Sequence, residues 1–222
     1  MTIAEALPAA TVVLVRDGED SLETLLLLRS RKLGFHGGEW VFPGGRVDVT
    51  DAGDDDRTSE PAARRAAARE ALEEAGVSLA PDSFVSLAHW TTPIVLPKRF
   101  ATYFFLARSP SDEISVDGGE IEAHRWMRPA DAIRARDAGE LGLPPPTFVT
   151  LTELSAFRRV DDALAAFAER DTPWLLPRVT LLDSTTINLL PGDAGYEVAR
   201  HDVPGARHRV VMAPSGWRYE RP

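Results

Sequence analysis

Arg69, Glu70, Glu73 and Glu74 place one cation and three carboxylates within six consecutive residues. At about 100° per residue in a helix, Glu73 falls near −60° and Glu74 near +40° from Glu70, while Ala68, Ala71, Leu72 and Ala75 lie between about 100° and 200°. The carboxylates therefore share one arc and oppose the apolar stripe. A like-charge i, i+4 pair such as Glu70 and Glu74 destabilises an isolated helix by roughly 0.2–0.5 kcal/mol. Acidic groups near a helix C-terminus also oppose the macrodipole. A cation would offset both penalties. A hard divalent ion suits these donors, because Mg²⁺ accepts carboxylate oxygens and water while keeping positions for substrate phosphates. Arg69 can reach Glu73 at i, i+4 and orient it. The competing reading is a solvated acidic face without a ligand.

Other residues could serve a phosphate. Gly44 and Gly45, after Pro43, would let backbone approach an anion. Arg29 and Arg99 stand at the ends of apolar strands, where a guanidinium fork matches phosphate oxygens. His36 sits in a glycine-rich loop, and His89 and His124 on strand patterns. Trp90, Phe100 and Tyr103 could stack a base or simply pack. No Gly-x-Ser-x-Gly elbow and no P-loop signature occurs, which disfavours serine-hydrolase and P-loop chemistry. The absence of cysteine excludes thiolate nucleophiles, zinc–thiolate sites and iron–sulfur clusters.

The elements that must position these groups are legible as patterns. Thr11 to Arg16 and Leu22 to Arg29 read as a hairpin across Asp17, Gly18, Glu19 and Asp20, the second strand being apolar on both faces and central. Within the glycine-rich stretch Leu33 to Asp48, a short strand Trp40 to Phe42 runs into a tight turn at Pro43, Gly44 and Gly45. Val49 to Ser59 reads as an exposed acidic loop. Pro61 to Ala75 is built of helix formers, with Gly76 as its left-handed cap. Strands are expected at Phe84 to Trp90, Phe100 to Ala107 and Ile121 to Met127. A short helix from Arg128 to Ala138 and a helix from Phe148 to Glu169 follow, and the remainder alternates like short strands.

The 222 residues suit one domain with an appendage, divided as 1–140 and a C-terminal extension 141–222 packed on it. Hydrophobic content of 44% and charged content of 27% are those of a folded globular chain. A net charge of −9 repels phosphate backbones, so no nucleic-acid partner is expected and an anionic ligand needs a metal or a local basic patch. No basic leader and no long apolar run is present, so a cytoplasmic protein without membrane association is expected. The extension's apolar residues would be buried in a homodimer or against their own domain.

REALEEAGV (Arg69 to Val77), preceded by FPGG (Phe42 to Gly45), resembles the Nudix box. The second half matches at every defined position, with Ala71 as its apolar residue. In the first half, twenty-three residues separate Gly45 from Arg69, ten more than the family's box has. Counting forward from Gly45 reaches Asp51 and counting back from Arg69 reaches Pro61, beside Glu60, so the box's first glutamate stays unassigned. A longer loop is tolerable because closure entropy grows only logarithmically with length. The resemblance implies an α/β/α sandwich around a mixed sheet, with a C-terminal helical and short-strand extension beyond it. It further implies that Glu70, Glu73 and Glu74 ligate Mg²⁺ or Mn²⁺ and that Arg69 orients them.

LLLLRSRKLGFHGGEWVFPGG (Leu25 to Gly45) is similar to a signature upstream of the box in coenzyme A diphosphatases: Arg29, Ser30, Gly38 and FPGG fall at its spacings, while Gly34 replaces one of its arginines. The long box loop, WTTP (Trp90 to Pro93), RFATYFF (Arg99 to Phe105) and the extension resemble the subgroup of peroxisomal acyl-CoA diphosphatases and their bacterial relatives. The implied activity is hydrolysis of a nucleoside diphosphate derivative. CoA or acyl-CoA is the first expectation, with NADH, ADP-ribose or a nucleotide sugar otherwise, and Glu120 or Glu122 would take the water proton. The rival is a catalytically silent Nudix-like module that binds nucleotides and regulates.

Overall fold

A computed structural model of the chain describes residues 3–32, 34, 36–116 and 118–221; Leu33 and Phe35, from the glycine-rich stretch, lie outside the described residues. The organising strand is β1 (Ala6–Asp17), which pairs antiparallel with β2 (Leu22–Arg29) across the expected hairpin. On its other side it runs parallel to β6 (Arg99–Arg108), from Ala6 beside Arg99 to Val15 beside Arg108. Further strands are β3 (Trp40–Val41), β4 (Gly44–Arg46), β5 (Val85–Thr91), β7 (Ile121–Met127) and β8 (Trp174–Leu175). The mixed sheet has the order β3-β2-β1-β6-β5-β8, with β4 also on β1 and β7 also on β2.

Strand alternation sends side chains to two cores, because successive residues face opposite sides of a sheet. Val13, Val15, Leu22 and Leu26 enter one; Val12, Leu14, Leu25 and Leu27 enter the other. The second core is closed by the helix α2 (Glu60–Ala75), whose Ala62, Ala63, Ala66, Ala67, Ala71 and Ala75 are buried on the sheet. Alanine gives α2 both its high propensity and a close approach. Ser59 caps its start by accepting the Ala62 amide, and Gly76 ends it with φ 70°. The first core is closed by the helices α3 (Pro129–Asp137), α4 (Pro145–Leu154) and α5 (Val160–Ala168). The result is an α/β/α sandwich.

Four sequence expectations need correction. Pro43, Gly44 and Gly45 do not end in a tight turn: Gly44 opens β4, which pairs with Ala9 to Thr11 of β1. Val49 to Ser59 is not loop throughout. Its first residues form the short helix α1 (Val49–Ala52), and Asp51 and Ala52 are buried. Leu72, assigned to the apolar stripe, is 54% exposed, because the alanine ridge alone seats the helix. The helix expected from Phe148 to Glu169 is two helices. Between them Ser155 bonds back to the Thr152 carbonyl, Leu22 donates to the Arg158 carbonyl, and Asp17 accepts the Val160 amide to start α5. The apolar period continues across the break because both helices face the same core.

Beyond β8 the chain forms an antiparallel sheet, β12-β11-β10-β9, from β9 (Arg178–Leu182), β10 (Thr185–Leu189), β11 (Arg209–Ala213) and β12 (Gly216–Glu220). Leu190 and Val210 join the first core, and Trp217 packs edge-on to Phe148. No helix among the described residues is long and apolar enough to cross a membrane.

Candidate active site

The last two turns of α2 stand over β4, and the acidic cluster meets the Gly-Gly pair there. Glu74 is 6% exposed and accepts a hydrogen bond from the Gly44 amide at 2.9 Å. Its other oxygen lies 3.6 Å from Arg29 Nη1, at the end of β2. Arg29 Nη2 is 3.6 Å from Glu120, while Arg29 Nε is buried without a hydrogen-bond partner. Glu70 is packed so closely on Gly45 that any side chain there would overlap its carboxylate.

Arg69 is the hub of this end of the helix. One terminal nitrogen donates to Glu70 at 2.8 Å and to Glu73 at 2.9 Å. The remaining face of the guanidinium grips Asp51 through Nε at 3.1 Å and Nη2 at 2.9 Å. Asp51 also accepts the Asp48 amide at 2.9 Å. Burial would raise the Asp51 carboxyl, but the Arg69 and Asp48 hydrogen bonds hold it below the usual range. Arg69 is correspondingly pushed up, first by its bonds to Asp51. Asp51, the residue reached by counting forward from Gly45, thus holds the Arg69 guanidinium in place. Its signal was the five-residue spacing from Gly45.

The carboxylates are electrostatically frustrated as they stand. Burial pushes Glu74 up to about 8, with Glu70 and Glu120 adding to the rise against the Gly44 amide and Arg29. Burial likewise raises Glu70, with Glu73 and Glu120 adding and Arg69 opposing. A buried carboxylate with too little positive charge nearby favours its neutral form. An all-oxygen donor set in that state fits a hard dication. The side chains do not yet close on one point: among the described residues, no three histidine, aspartate or glutamate side chains are gathered tightly enough to hold an ion. Arg69 draws Glu70 and Glu73 toward itself, and side-chain rotation would be needed to converge them.

These groups open onto a cleft of about 1000 Å³ lined by Arg29, Gly44, Gly45, Glu70, Glu73, Glu74 and Glu120, among others. The structure does not bring every expected residue here. Arg99 is buried at the start of β6, where it donates to the carbonyls of Thr92 and Ala4. Glu122 is exposed on β7 and is not part of the cleft wall. Of the aromatic residues, Trp90 and Phe100 line the cleft, whereas Tyr103 packs edge-on to His89. His89 also stacks on Trp174, and burial lowers it to about 4. The sequence reading missed Lys98, Thr147 and the part of the wall built by β9–β11; no local signal marks them.

An α/β/α sandwich that holds an acidic helix end over a Gly-Gly strand defines a protein of the Nudix-fold class. The NUDIX domain model matches residues 6–148, and the chain belongs to the Nudix hydrolase family. The acyl-coenzyme A diphosphatase NUDT19 of Xenopus laevis is 22% identical over 288 residues, covering 86% of this chain and 75% of that protein. The peroxisomal coenzyme A diphosphatase ndx-8 of Caenorhabditis elegans is 36% identical over 121 residues, covering 52% of this chain and 46% of that protein. Among solved structures, a NUDIX hydrolase from Alicyclobacillus acidocaldarius superposes with a TM-score of 0.67 at 25% identity, over 77% of this chain and all of the other.

Proposed function

We propose that the protein is a divalent-metal-dependent diphosphatase that cleaves a nucleoside diphosphate derivative, CoA or acyl-CoA before NADH, ADP-ribose or a nucleotide sugar. The observation that carries this reading is the buried, undercompensated Glu74 carboxylate at the mouth of a large cleft, with Glu70 and Glu73 on the same helix end and Arg29 facing it. The names of the two relatives support the choice of CoA-type substrates.

Glu70, Glu73 and Glu74 would hold Mg²⁺ or Mn²⁺. When bound, such an ion supplies charge neutralisation at the diphosphate and lowers the pKa of a coordinated water. The protein's own residues do the rest. Arg29, whose terminal nitrogens make only long contacts to Glu74 and Glu120, keeps donors available for phosphate oxygens. Gly44 and Gly45 let β4 lie close enough to α2 for Glu70 to pack on the backbone and for the Gly44 amide to fix Glu74. Arg69, fixed by Asp51, sets where Glu70 and Glu73 rest. Glu120, on the rim, would accept the proton of the attacking water.

A panel of CoA, octanoyl-CoA, NADH, ADP-ribose and nucleotide sugars, assayed for phosphate-bearing products with Mg²⁺ or Mn²⁺, tests the reading. CoA-type substrates are expected to be cleaved fastest, and Glu73→Gln is expected to lower kcat by about 100-fold or more. Mn²⁺ should raise the Tm of the wild type, a bound ion at 100 times its Kd adding about 2.7 kcal/mol, and should leave Glu74→Gln unmoved. Equal turnover by wild type and Glu73→Gln would overturn the site. Nucleotide binding without turnover would mark a silent binding module instead.

A further inference from the structure

The family match ends at residue 148, but the cleft continues into the C-terminal sheet. Val179, Thr186, Asn188 and Met212 all line it. Register makes this one surface: Val179 is the cross-strand partner of Asn188, and Thr186 is that of Met212. Directly opposed residues on an antiparallel pair share a face. The opposite face carries Ile187, Leu189 and Val211, which form a small core of their own. On the cleft side, Val210, opposite Asn188, seats the sheet on the first core, while Val179, Thr186 and Met212 stay partly open to the cleft. This side alternates apolar and hydrogen-bonding side chains.

Across the same cleft, the loop joining β5 to β6 brings Val95, 67% exposed, and Leu96, 45% exposed. Large apolar side chains left open within a cleft are what a ligand would cover. A volume of about 1000 Å³ lies at the upper end of ordinary ligand sites and exceeds what a diphosphate and its metal fill. Methylene groups would meet Val179, Met212 and Leu96. Amide and thioester carbonyls would meet Asn188 and Thr186, whose side chains supply donors.

We propose that the β9–β11 face is the specificity surface of the site and receives the acyl-thioester tail of an acyl-pantetheine substrate. It rests on the diphosphatase reading only for which end of the ligand lies at Glu74.

The test is calorimetric titration of the full chain with CoA and with octanoyl-CoA in EDTA, so that the ligand differs only in its tail and is not turned over. The wild type is expected to bind octanoyl-CoA about tenfold or more tightly than CoA. Val179→Asp and Met212→Asp should reduce that ratio to about one. Leu182→Asp, at the end of β9 on the face turned from the cleft and 46% exposed, should leave the ratio unchanged. Should either aspartate variant lose CoA binding or its cooperative melt, Val179→Ser becomes the deciding variant, with a severalfold loss of the ratio expected. A wild type that binds both ligands equally, or variants that keep the full ratio, would overturn the proposal. Turnover with Mg²⁺, measured in parallel, separates the two readings. A Val179-dependent ratio without turnover keeps this surface and overturns the diphosphatase. Turnover with no dependence on Val179 does the reverse.

Discussion

A side chain on Gly45 would overlap the Glu70 carboxylate, whereas one on Gly44 would overlap Thr11 Oγ1 and the Ala10 carbonyl of the neighbouring strand. The first obstacle is the far end of a side chain that can rotate away. The second includes backbone that cannot. Gly45→Ala is therefore expected to keep the fold, losing less than about 1 kcal/mol, while displacing Glu70 and lowering kcat/KM by about tenfold or more. Gly44→Ala is expected to cost about 1–3 kcal/mol of stability. Urea unfolding and steady-state hydrolysis on the same two proteins distinguish these outcomes; equal stability loss in both would contradict the geometry.

At the scale of elements, α2 serves both as a wall and as the bearer of the acidic cluster because its two faces have different compositions. The alanine face fixes its distance from the sheet, and the acidic end projects over β4. Its orientation depends on α1, which lies in the long box loop and supplies Asp51 to Arg69. Insertion of extra residues is tolerated because α1 still docks on α2, where Arg65 also bonds the Asp51 and Ala52 carbonyls. Asp51→Asn keeps the size of the side chain but removes its charge. It is expected to cost about 1–3 kcal/mol of stability and to lower kcat/KM by about 10–100-fold by releasing Arg69. Full activity with the stability loss alone would assign Asp51 to the fold and not to the site.

Across the molecule as a whole, the C-terminal sheet is anchored by Asp193 and Arg209, a buried pair joined by two hydrogen bonds of 2.6 Å. The amides of His208 and Gly195 donate to the same carboxylate. Burial would raise Asp193, but Arg209 and these amides hold it down at about 2, against an ordinary 3.8. A carboxyl lowered by folding contributes stability that is complete above its unfolded value and is lost as pH falls through its folded one. The window is pH 3.8 to about 2, and the amount is about 2 kcal/mol. Asp193→Asn should lose about 3 kcal/mol at pH 7, because Arg209 is left buried without its partner. It should also flatten the acid limb of a urea-midpoint series from pH 7 to pH 2. An acid limb as steep as that of the wild type would show that this pair does not govern acid stability.

Features that depend on neighbours along the chain were legible in the sequence. The alanine-rich helix with its Gly76 cap, the β1–β2 hairpin and the strands β5, β6 and β7 follow from periodicity, propensity and capping within a few residues, and REALEEAGV was legible by its resemblance to half of the Nudix box. Pairings across long separations became visible only in the folded chain. Asp51 meets Arg69 eighteen residues away. Arg99 is claimed by the carbonyls of Thr92 and Ala4. Asp17 of β1 starts α5 and so breaks what the apolar period presented as one helix. The β9–β11 face reaches the cleft through sheet register alone. Such pairings are selected by burial and hydrogen-bond satisfaction in the assembled molecule, and no local pattern encodes which distant group will provide them.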